Sequence, residues 1–566
     1  MKQAGAACFI QLHHAGRNAV PAYNNGLQPV APSAIPRRGG VMPRELTLAE
    51  IEAIIESFVQ GARRAKEAGF DGVELHFAHT YLIQQFLSPL TNKRRDKYGG
   101  DLMSRARIAL EITQRVRQMV GPDFPLSARI TGDEFIKGGL TLREEKKVAV
   151  MLQAAGVNVL NVTVGYTPSH EEGYFNCLNI SSGAPMSRPY GCHAMLAEEI
   201  KQVVTIPVIA VGRLDEPQVA HDLIARGKAD LIAIGRGFLT DAAYVSKVHH
   251  GKLNEIRHCI ACKRCLFTLS AESNLRCAVN AELGREVEYR LQPAGKIKHV
   301  VVIGGGPGGM EAARVAALRG HKVTLLEKNY RLGGNLISAS AASFKKDIKL
   351  VADYLTWAIR QAGVEIKLNT VATPEKVLAL KPDAVVLATG SVSVMPDIPG
   401  INRSKVTSAV QVLEGKVKTG KRVIVGGGGE VGCEAAVYLA EQGKQVTIVE
   451  MRDTDWSDDG GLAPGMEPEM RKWFLGELLP GLPIDVIGKV TFREITDKGL
   501  IVQDRESVSH LVESDSVVFA AGMRADNSLK TQLEGKIPEL YEVGDCVSAR
   551  KIIDAVAEGA RLGRLV

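Results

Sequence analysis

The chain has 566 residues, enough for about three or four domains of ordinary size. Its hydrophobic content of 45% and charged content of 23% are typical of globular proteins, and no apolar run is long enough to span a membrane. The formal net charge of +7 comes from interspersed basic and acidic residues, so nothing predicts a nucleic-acid-binding surface. A weak preference for anionic ligands such as nucleotides is compatible with that charge.

Residues 1–250 alternate strand-like apolar runs with amphipathic stretches, which predicts a parallel sheet covered by helices. Polar and charged residues gather where the predicted strands end, as expected for a (β/α)8 TIM barrel, whose chemistry lies at the C-terminal ends of its strands. These residues are Gln11, His76, Arg129, Arg213 and Arg236. The strand candidates are 7–12, 72–76, 126–130, 159–164, 207–211 and 231–235.

The number of predicted strands is two short of a closed barrel. A βαβ unit takes roughly 30 residues or more, so the first two βα units of the barrel are expected to be missing. An open remnant of this kind exposes two sheet edges. We therefore interpret the α/β chain as a barrel truncated at its N-terminus, spanning 1–250.

A connector over residues 251–295 carries four of the nine cysteines within one 19-residue window. Three closely spaced thiols and a fourth further along favour a [4Fe–4S] cluster. A structural zinc site, which usually has two separated pairs of ligands, is an alternative, as are unrelated thiols. The odd count and the single cluster favour a reducing compartment, and we expect a cytoplasmic protein. The four cysteines are Cys259, Cys262, Cys265 and Cys277.

Two similar strand–turn–helix–strand segments begin near residues 298 and 421 and predict two Rossmann-like modules. In the first, Gly304, Gly306 and Gly309 form a GxGxxG turn that lets backbone amides approach a pyrophosphate at the start of a helix. Glu327 follows Gly304 by 23 residues, where a carboxylate can bind a ribose hydroxyl.

The second turn contains Gly427, Gly429 and Gly432, and Glu450 stands at the same offset of 23 residues. A carboxylate there accepts from a ribose 2′-hydroxyl and repels a 2′-phosphate, so the pattern favours NADH over NADPH. Arg452 nearby keeps NADPH as an alternative.

Gly544 and Asp545 follow a further apolar strand, where they can hold the ribityl chain and phosphate of FAD. We predict five segments in all. They are the barrel (1–250), the cluster-binding connector (251–295), the first part of the FAD domain (296–418), the NAD(P)H domain (419–510) and the second part of the FAD domain (511–566).

The residues at the barrel end allow several interpretations. His76 and His79 can be metal ligands, ordinary hydrogen-bonded histidines, or donors that grip a substrate oxygen with Tyr81 as the proton source. Gln11 and Arg129 are placed to hydrogen-bond a flavin ring. Arg213, after Gly212, and Arg236, after Gly235, end the last two strands, a frequent phosphate site in such barrels, although both arginines can also form salt bridges at the rim.

Together these segments resemble the NADH:flavin oxidoreductase family of the old yellow enzyme type. The resemblance covers essentially the whole chain and is closest to the subgroup that holds 2,4-dienoyl-CoA reductase, 2-enoate reductases and trimethylamine dehydrogenase. It rests on the two dinucleotide turns and on QLHHAGR (11–17), GVELHFAHTYLIQQFLSP (72–89), NKRRDKYGG (92–100) and HCIACKRC (258–265).

The resemblance implies FMN at the barrel mouth, FAD in the first dinucleotide module and a [4Fe–4S] cluster between them. It also implies that electrons pass from NADH through FAD, the cluster and FMN to an activated C=C bond. By the same resemblance Gln11 and Arg129 contact the FMN ring, and Arg213, Gly235 and Arg236 hold its phosphate.

The resemblance further implies that His76 and His79 bind a substrate carbonyl and that Tyr81 donates a proton. The dienoyl-CoA reductases lack the histidine pair, which favours a 2-enoate or enone substrate. Trimethylamine dehydrogenase has Tyr in place of His76, and its second dinucleotide domain does not serve NADH. The intact second turn and Glu450 therefore argue against an amine dehydrogenase.

The expected partner is a small unsaturated carbonyl compound, with a CoA thioester among the alternatives. An amine (C–N) dehydrogenase and an electron-transfer flavoprotein serving a protein acceptor are the competing functions. The oligomeric state is left open, with a homo-oligomer as one alternative. Tyr166, His170 and Tyr174 are candidates for shaping the pocket.

Overall fold

The computed structural model describes residues 1–165, 182–272, 274–454 and 461–566. The chain divides into two compact units. No helix in these described ranges is long and apolar enough to cross a membrane. The first unit is Met1–Ala184 with Arg188–Ile234, and the second is Pro185–Ser187 with Gly235–Val566.

The first unit is built on a six-stranded sheet in which every pairing is parallel and the strands follow one another in chain order. All six strands predicted from the sequence are confirmed. They are Phe9–Leu12, Gly72–Phe77, Leu126–Thr131, Val159–Thr163, Val208–Ala210 and Leu231–Ile232. A separate parallel pair joins Val30–Ala31 to Arg44–Glu45.

Helices cover one face of this sheet because the strands alternate in polarity. Val73, Leu75 and Phe77 of the second strand are buried in the core that the sheet forms with its helices, whereas Glu74 and His76 belong to the opposite face. The helix Leu48–Glu67 is capped by Thr47, whose side chain forms a capping box with Glu50. The helices are Leu48–Glu67, Leu82–Leu87, Leu102–Val120, Leu142–Ala154, Ala194–Lys201 and Pro217–Ala225.

The second unit contains two parallel five-stranded sheets. The first sheet has the order Glu365–Lys367, Lys322–Leu326, His299–Ile303, Ala384–Leu387 and Glu539–Glu542. The second has the order Val406–Ser408, Ser516–Phe519, Arg422–Gly426, Gln445–Val449 and Ile484–Ile487. The edge strand Val406–Ser408 and its neighbour Ser516–Phe519 pair in the second sheet although both lie outside 419–510, the range predicted for its module.

Smaller elements complete the second unit. An antiparallel sheet joins Thr491–Ile495, Gly499–Gln503 and Ser509–Glu513, and Ser391–Ser393 pairs with Met523–Ala525. The helices are Arg236–Thr240, Tyr244–His249, Arg264–Glu272, Pro307–Leu318, Leu336–Ala339, Lys349–Gln361, Pro374–Ala379, Ala409–Leu413, Glu430–Glu441, Pro468–Trp473, Ser528–Leu533 and Ile552–Leu565. The predicted fold class, an α/β barrel unit followed by Rossmann-like modules, is confirmed.

Candidate active site

The polar face of the six-stranded sheet is organised around the carboxylate of Glu74. Its Oε1 accepts a hydrogen bond from Gln11 Nε2 at 2.7 Å. Its Oε2 accepts from Ser127 Oγ at 2.8 Å and from Asn161 Nδ2 at 3.0 Å. Four successive strands are thus tied together by one acid, which fixes the position of Gln11, a residue predicted to contact a flavin.

His76, His79 and Tyr81 lie together at the end of the second strand, as their predicted shared role requires. The ring centroids of His76 and His79 are 4.8 Å apart, and the Tyr81 ring lies 5.0 Å from that of His76. His13, from the segment after the first strand, stacks on Tyr81 with a centroid distance of 4.8 Å and an interplanar angle of 26°. The result is a cluster of four aromatic rings.

Hydrogen bonds fix the tautomers of the histidine pair. The backbone N–H of Ala78 can only donate, and it donates to His76 Nδ1 at 3.1 Å. A neutral His76 therefore carries its proton on Nε2 and donates to His79 Nδ1 at 2.9 Å. His79 Nε2 in turn donates to Thr163 Oγ1 at 3.1 Å. Burial, more than the nearby charge of Arg129, lowers the pKa of His76 to about 3.

The backbone at this site is strained. His79 and Thr80 have φ angles of 59° and 53°, the left-handed region that non-glycine residues rarely adopt. Two consecutive residues in this region cost free energy that the surrounding contacts must offset, and such strain is concentrated at functional sites. The turn therefore supports a functional role for the side chains that it carries.

Unpartnered polar atoms beside Glu74 and His76 provide a test for FMN. Arg129 Nε and Asn161 Oδ1 are buried, and neither has a hydrogen-bond partner within the part of the chain that the structure describes. Arg129 pairs in register with His76 on one side and with Asn161 on the other. A donor and an acceptor left open side by side suit the polar edge of a flavin ring, so these residues fit FMN.

The predicted phosphate residues fall in both units. In the first unit, Gly212 has a φ angle of 108° and the Arg213 guanidinium lies 4.2 Å from the centroid of the Tyr190 ring, while donating to the carbonyl oxygen of Arg188. Gly235 and Arg236 belong to the second unit, where they begin the helix Arg236–Thr240.

The first dinucleotide turn has the geometry that its glycines predicted. Gly304 has a φ angle of 112°, and a Cβ on Gly309 would lie 2.1 Å from the carbonyl oxygen of Gly304. The turn leads into the helix Pro307–Leu318 at Gly306, where a Cβ would meet nothing within 4 Å. Glu327 Oε2 accepts from Gly305 N at 2.8 Å, which leaves a carboxylate beside the open turn.

The second turn repeats this arrangement. Gly427 has a φ angle of 109°, and a Cβ on Gly432 would lie 1.9 Å from the carbonyl oxygen of Gly427. Gly429 caps the helix Glu430–Glu441. Glu450 Oε2 accepts from Gly428 N at 2.6 Å, and its other oxygen accepts from Arg452 Nε at 3.2 Å.

A cavity of about 1330 Å³ lies within the second unit and is lined by the first turn, by Glu327 and by Gly544 and Asp545. This volume exceeds the usual 300–1,000 Å³ of small-molecule pockets, so a large cofactor such as FAD fits it. Asp545 Oδ2 accepts weakly from Asn335 and Ser391, both at 3.3 Å, and so faces the cavity from a fixed position.

The cysteine cluster belongs to the second unit, and none of the eight described cysteines is in a disulfide. Burial raises the pKa of Cys262 to about 11. The charges of Cys277 and Cys265 raise this pKa further and the charge of Arg236 lowers it, so these groups lie near Cys262. Within the described ranges no three His, Cys, Asp or Glu side chains are grouped so that they hold a metal ion. Cys262, Cys265 and Cys277 are neighbours, and four cysteine thiols are the type of donor that holds an iron–sulfur cluster. Cys259 is the fourth, and its Sγ accepts from Ala261 N at 3.4 Å.

Sequence reasoning missed two parts of the site. His13 lies in the quoted segment QLHHAGR, yet nothing in its spacing indicated that it stacks on Tyr81. Glu134 is fully buried and bonded to Gln84 beneath the histidine turn, and no motif marked it. The predicted pocket candidates Tyr166, His170 and Tyr174 lie outside the described residues.

Comparison with known proteins identifies the class of enzyme. Residues 1–255 match the NADH:flavin oxidoreductase / NADH oxidase family, and residues 298–559 match the pyridine nucleotide-disulphide oxidoreductase family. The chain belongs to the NADH:flavin oxidoreductase / NADH oxidase family and is an NADH-dependent flavin oxidoreductase. The two matches assign FMN to the barrel unit and FAD with NAD(H) to the second unit.

Individual relatives cover nearly the whole chain. It is 46% identical to an NADH oxidase from Thermoanaerobacter brockii over 98% of this chain and 84% of the relative. It is 39% identical to a cinnamate reductase from Clostridium sporogenes over 98% of this chain and 83% of the relative. Both similarities extend through the barrel, the cysteine cluster and the two dinucleotide modules.

Solved structures show the same architecture. A 2-naphthoyl-CoA reductase in complex with 2-naphthoyl-CoA superposes with a TM-score of 0.91 at 33% identity, covering 100% of this chain and 86% of that chain. A histamine dehydrogenase from Rhizobium sp. 4-9 has a TM-score of 0.83 at 26% identity, covering 100% of this chain and 84% of that chain. The fold is therefore shared by enzymes named for different substrates.

Proposed function

We propose that this enzyme uses NADH to reduce an activated C=C bond in a small unsaturated carbonyl compound. The observation that supports this proposal is the cluster of His76, His79 and Tyr81, which offers imidazole donors for an oxygen and a phenol for a proton. Two of the similar proteins are named for the reduction of cinnamate and of 2-naphthoyl-CoA. An enoate or an acyl-CoA thioester is the substrate class in keeping with both names.

The protein's contribution to this reaction is position and electrostatics. When substrate binds, His76 Nε2–H leaves His79 Nδ1 and His79 Nε2–H leaves Thr163 Oγ1, and both donate to the carbonyl oxygen, so that negative charge is stabilised where it develops. Tyr81 gives its phenolic proton to the α-carbon of the substrate. His13 stacks on Tyr81 and holds the phenol against the histidine pair.

The cofactors supply the redox chemistry when bound, the flavins exchanging hydride or single electrons and a [4Fe–4S] cluster carrying one electron at a time. Gln11 and Arg129 would hold the FMN ring, and Arg213, with Gly212 before it, would bind its phosphate. The first dinucleotide turn, with Glu327 and Asp545, binds FAD. The second turn, with Glu450, binds NADH, and the four cysteines hold the cluster.

The proposal is tested by Tyr81→Phe, measured separately in the two half-reactions. NADH-dependent flavin bleaching should keep its wild-type rate, because Tyr81 belongs to the barrel unit and not to the dinucleotide turns. Reoxidation of the bleached enzyme by cinnamate or an enoyl-CoA should slow about 100- to 10,000-fold, the usual value of a positioned proton donor. Tyr23→Phe, at a site 78% exposed, is the matched control.

An equal loss in both half-reactions would argue against the proton-donor role of Tyr81. Failure of every enone, enoate and enoyl-CoA to reoxidise the wild-type holoenzyme would refute the proposed function itself. In that case the alternative is an electron-transfer flavoprotein. It predicts that NADH oxidation continues when a protein acceptor is added.

Amine oxidation is the second candidate, and the likeness to histamine dehydrogenase favours it. It requires electrons to flow from an amine to the flavins, so amine-dependent bleaching without NADH would support it. The intact second turn, with Gly427, Gly432 and Glu450 all in place, argues for an enzyme that uses NADH and therefore against this candidate.

A further inference from the structure

The strained turn that carries His79 is held by side chains from the helix that follows it. Thr80 N donates to Gln84 Oε1 at 2.5 Å, and Gln85 Nε2 donates to the Thr80 carbonyl oxygen at 2.5 Å. Asn18 Nδ2 also donates to this oxygen, at 3.0 Å. Both backbone polar groups of Thr80 therefore depend on amide side chains, and these contacts oppose relaxation of the left-handed backbone.

The orientation of the Gln84 amide is decided by a buried acid. Gln84 Nε2 donates to Glu134 Oε1 at 2.8 Å, which leaves Gln84 Oε1 to accept from Thr80 N and from Thr131 Oγ1 at 2.9 Å. Thr131 Oγ1 accepts in turn from His79 N at 3.3 Å. A flipped amide would place its nitrogen against two donors and leave the acid facing an oxygen.

Glu134 has no exposed surface, and its other oxygen is also fully engaged. Oε2 accepts from Ser88 Oγ at 2.7 Å and from Leu140 N at 2.7 Å. Every partner can donate, so the site suits a carboxylate. Burial raises the pKa of Glu134 to about 7, and its hydrogen-bond donors and the charge of Arg17 favour the carboxylate against this.

We propose that Glu134 and Gln84 are positioning residues, which lock the turn so that His79 meets the substrate oxygen at a fixed angle. Neither residue belongs to the ring cluster that is proposed to meet the substrate; their effect reaches it through Thr80, Thr131 and the backbone of His79. The inference rests on the proposed function, because it concerns the same histidine pair.

The test exchanges the two functional groups. Glu134→Gln alone sets an amide nitrogen against other donors, and Gln84→Glu alone brings two buried carboxyl groups together. In the double variant Gln84→Glu/Glu134→Gln, the amide nitrogen at position 134 donates to the carboxylate at position 84. The amide oxygen at position 134 accepts from Ser88 and Leu140, so the network is restored except for a long contact from Gln84 Nε2 to the Gly165 carbonyl oxygen at 3.4 Å.

Each single variant of the holoenzyme should reoxidise with substrate about 10- to 100-fold more slowly, because misplacement by about 1 Å costs that much. NADH-dependent flavin bleaching should not change. The double variant should recover most of the lost rate. Hydrogen exchange at the Thr80 amide should quicken in the single variants and return to the wild-type rate in the double variant. The exposed Glu56→Gln is the matched control.

Wild-type rates in both single variants would overturn the proposal, and so would a double variant that stays slow. Equal loss in both half-reactions would also overturn it, as this indicates general damage to the fold. If a single variant does not fold, the double variant alone decides, because only a restored network predicts an active protein. Should the wild type reduce no enoate, the proposed function fails, and the exchange rate at Thr80 still tests the positioning network.

Discussion

Glu145 is a buried acid that the fold does not pair, and its replacement should stabilise the protein. It lies in helix Leu142–Ala154 with no exposed surface, and neither carboxyl oxygen has a hydrogen-bond partner in the ranges that the structure describes. Burial raises the pKa of Glu145 well above its usual value, and the charges of Glu134, Glu144 and Asp133 add to the shift. Glu145→Met keeps the length of the side chain and removes the polar group.

The size of the gain follows from this environment. A buried polar group without a partner costs about 1–3 kcal/mol, which Glu145→Met should recover in the free energy of unfolding. The pH dependence has a definite sign. In the unfolded chain Glu145 loses its proton at about pH 4.3, whereas in the folded protein it keeps the proton to higher pH. The wild type therefore becomes less stable as pH rises above about 4.3. The gain from Glu145→Met should therefore be larger at pH 8 than at pH 5.

Differential scanning calorimetry at the two pH values measures this gain. For a unit of this size, each kcal/mol should raise Tm by about 2–4 °C. Glu56→Met, at an exposed site on another helix, should change Tm little at either pH. A lower Tm for Glu145→Met at both pH values would refute the reasoning, since it would mean that a donor such as a bound water stabilises this carboxyl group.

Two further predictions concern the second unit. Lys345→Met should lower the free energy of unfolding by about 3–5 kcal/mol, because it leaves the buried Glu434 without its ion pair, and Lys345→Met/Glu434→Leu should recover most of the loss. Urea unfolding measures the free energy of both variants, followed by the fluorescence of Trp473, which packs against Phe344 next to Lys345. A double variant as unstable as Lys345→Met would contradict this reasoning. Glu450→Ser should raise KM for NADH about 10-fold or more and leave KM for NADPH unchanged, because it removes one charged acceptor. Glu327→Ser, in the other turn, should leave the ratio of the two KM values unchanged. Equal effects of the two substitutions would contradict the assignment of the turns.

Much of the fold could be predicted from the sequence because local patterns carry it. Each of the six strands of the first unit is an apolar run that the sequence makes visible, and the two glycine turns require backbone that only glycine adopts easily. The spacing of His76 and His79 after a strand also placed them on one site. These signals lie within a few residues of one another, so no knowledge of tertiary packing was needed.

The remainder of the site depends on contacts between distant residues. Gln84 and Glu134 are 50 positions apart and His13 and Tyr81 are 68 apart, and no periodicity indicates which polar residue meets which. The pairing of Val406–Ser408 with Ser516–Phe519 was missed for the same reason. Strands of three or four residues have too little local pattern to show which strand they pair with.

Because both histidines are neutral, we expect the pair to stabilise a negative charge that develops on the substrate oxygen more than it binds an anionic substrate. Burial lowers the pKa of His76 to about 3 and that of His79 well below its usual value, so both rings are uncharged near neutral pH. A cationic pair would bind any carboxylate in its ground state, which does not accelerate a reaction. The N–H of His76 is already bonded to His79 Nδ1, so a substrate oxygen must displace a good acceptor to use it. In the proposed reaction, an oxygen that gains negative charge during hydride transfer would compete best for that donor, and the pair would stabilise the transition state more than the bound substrate.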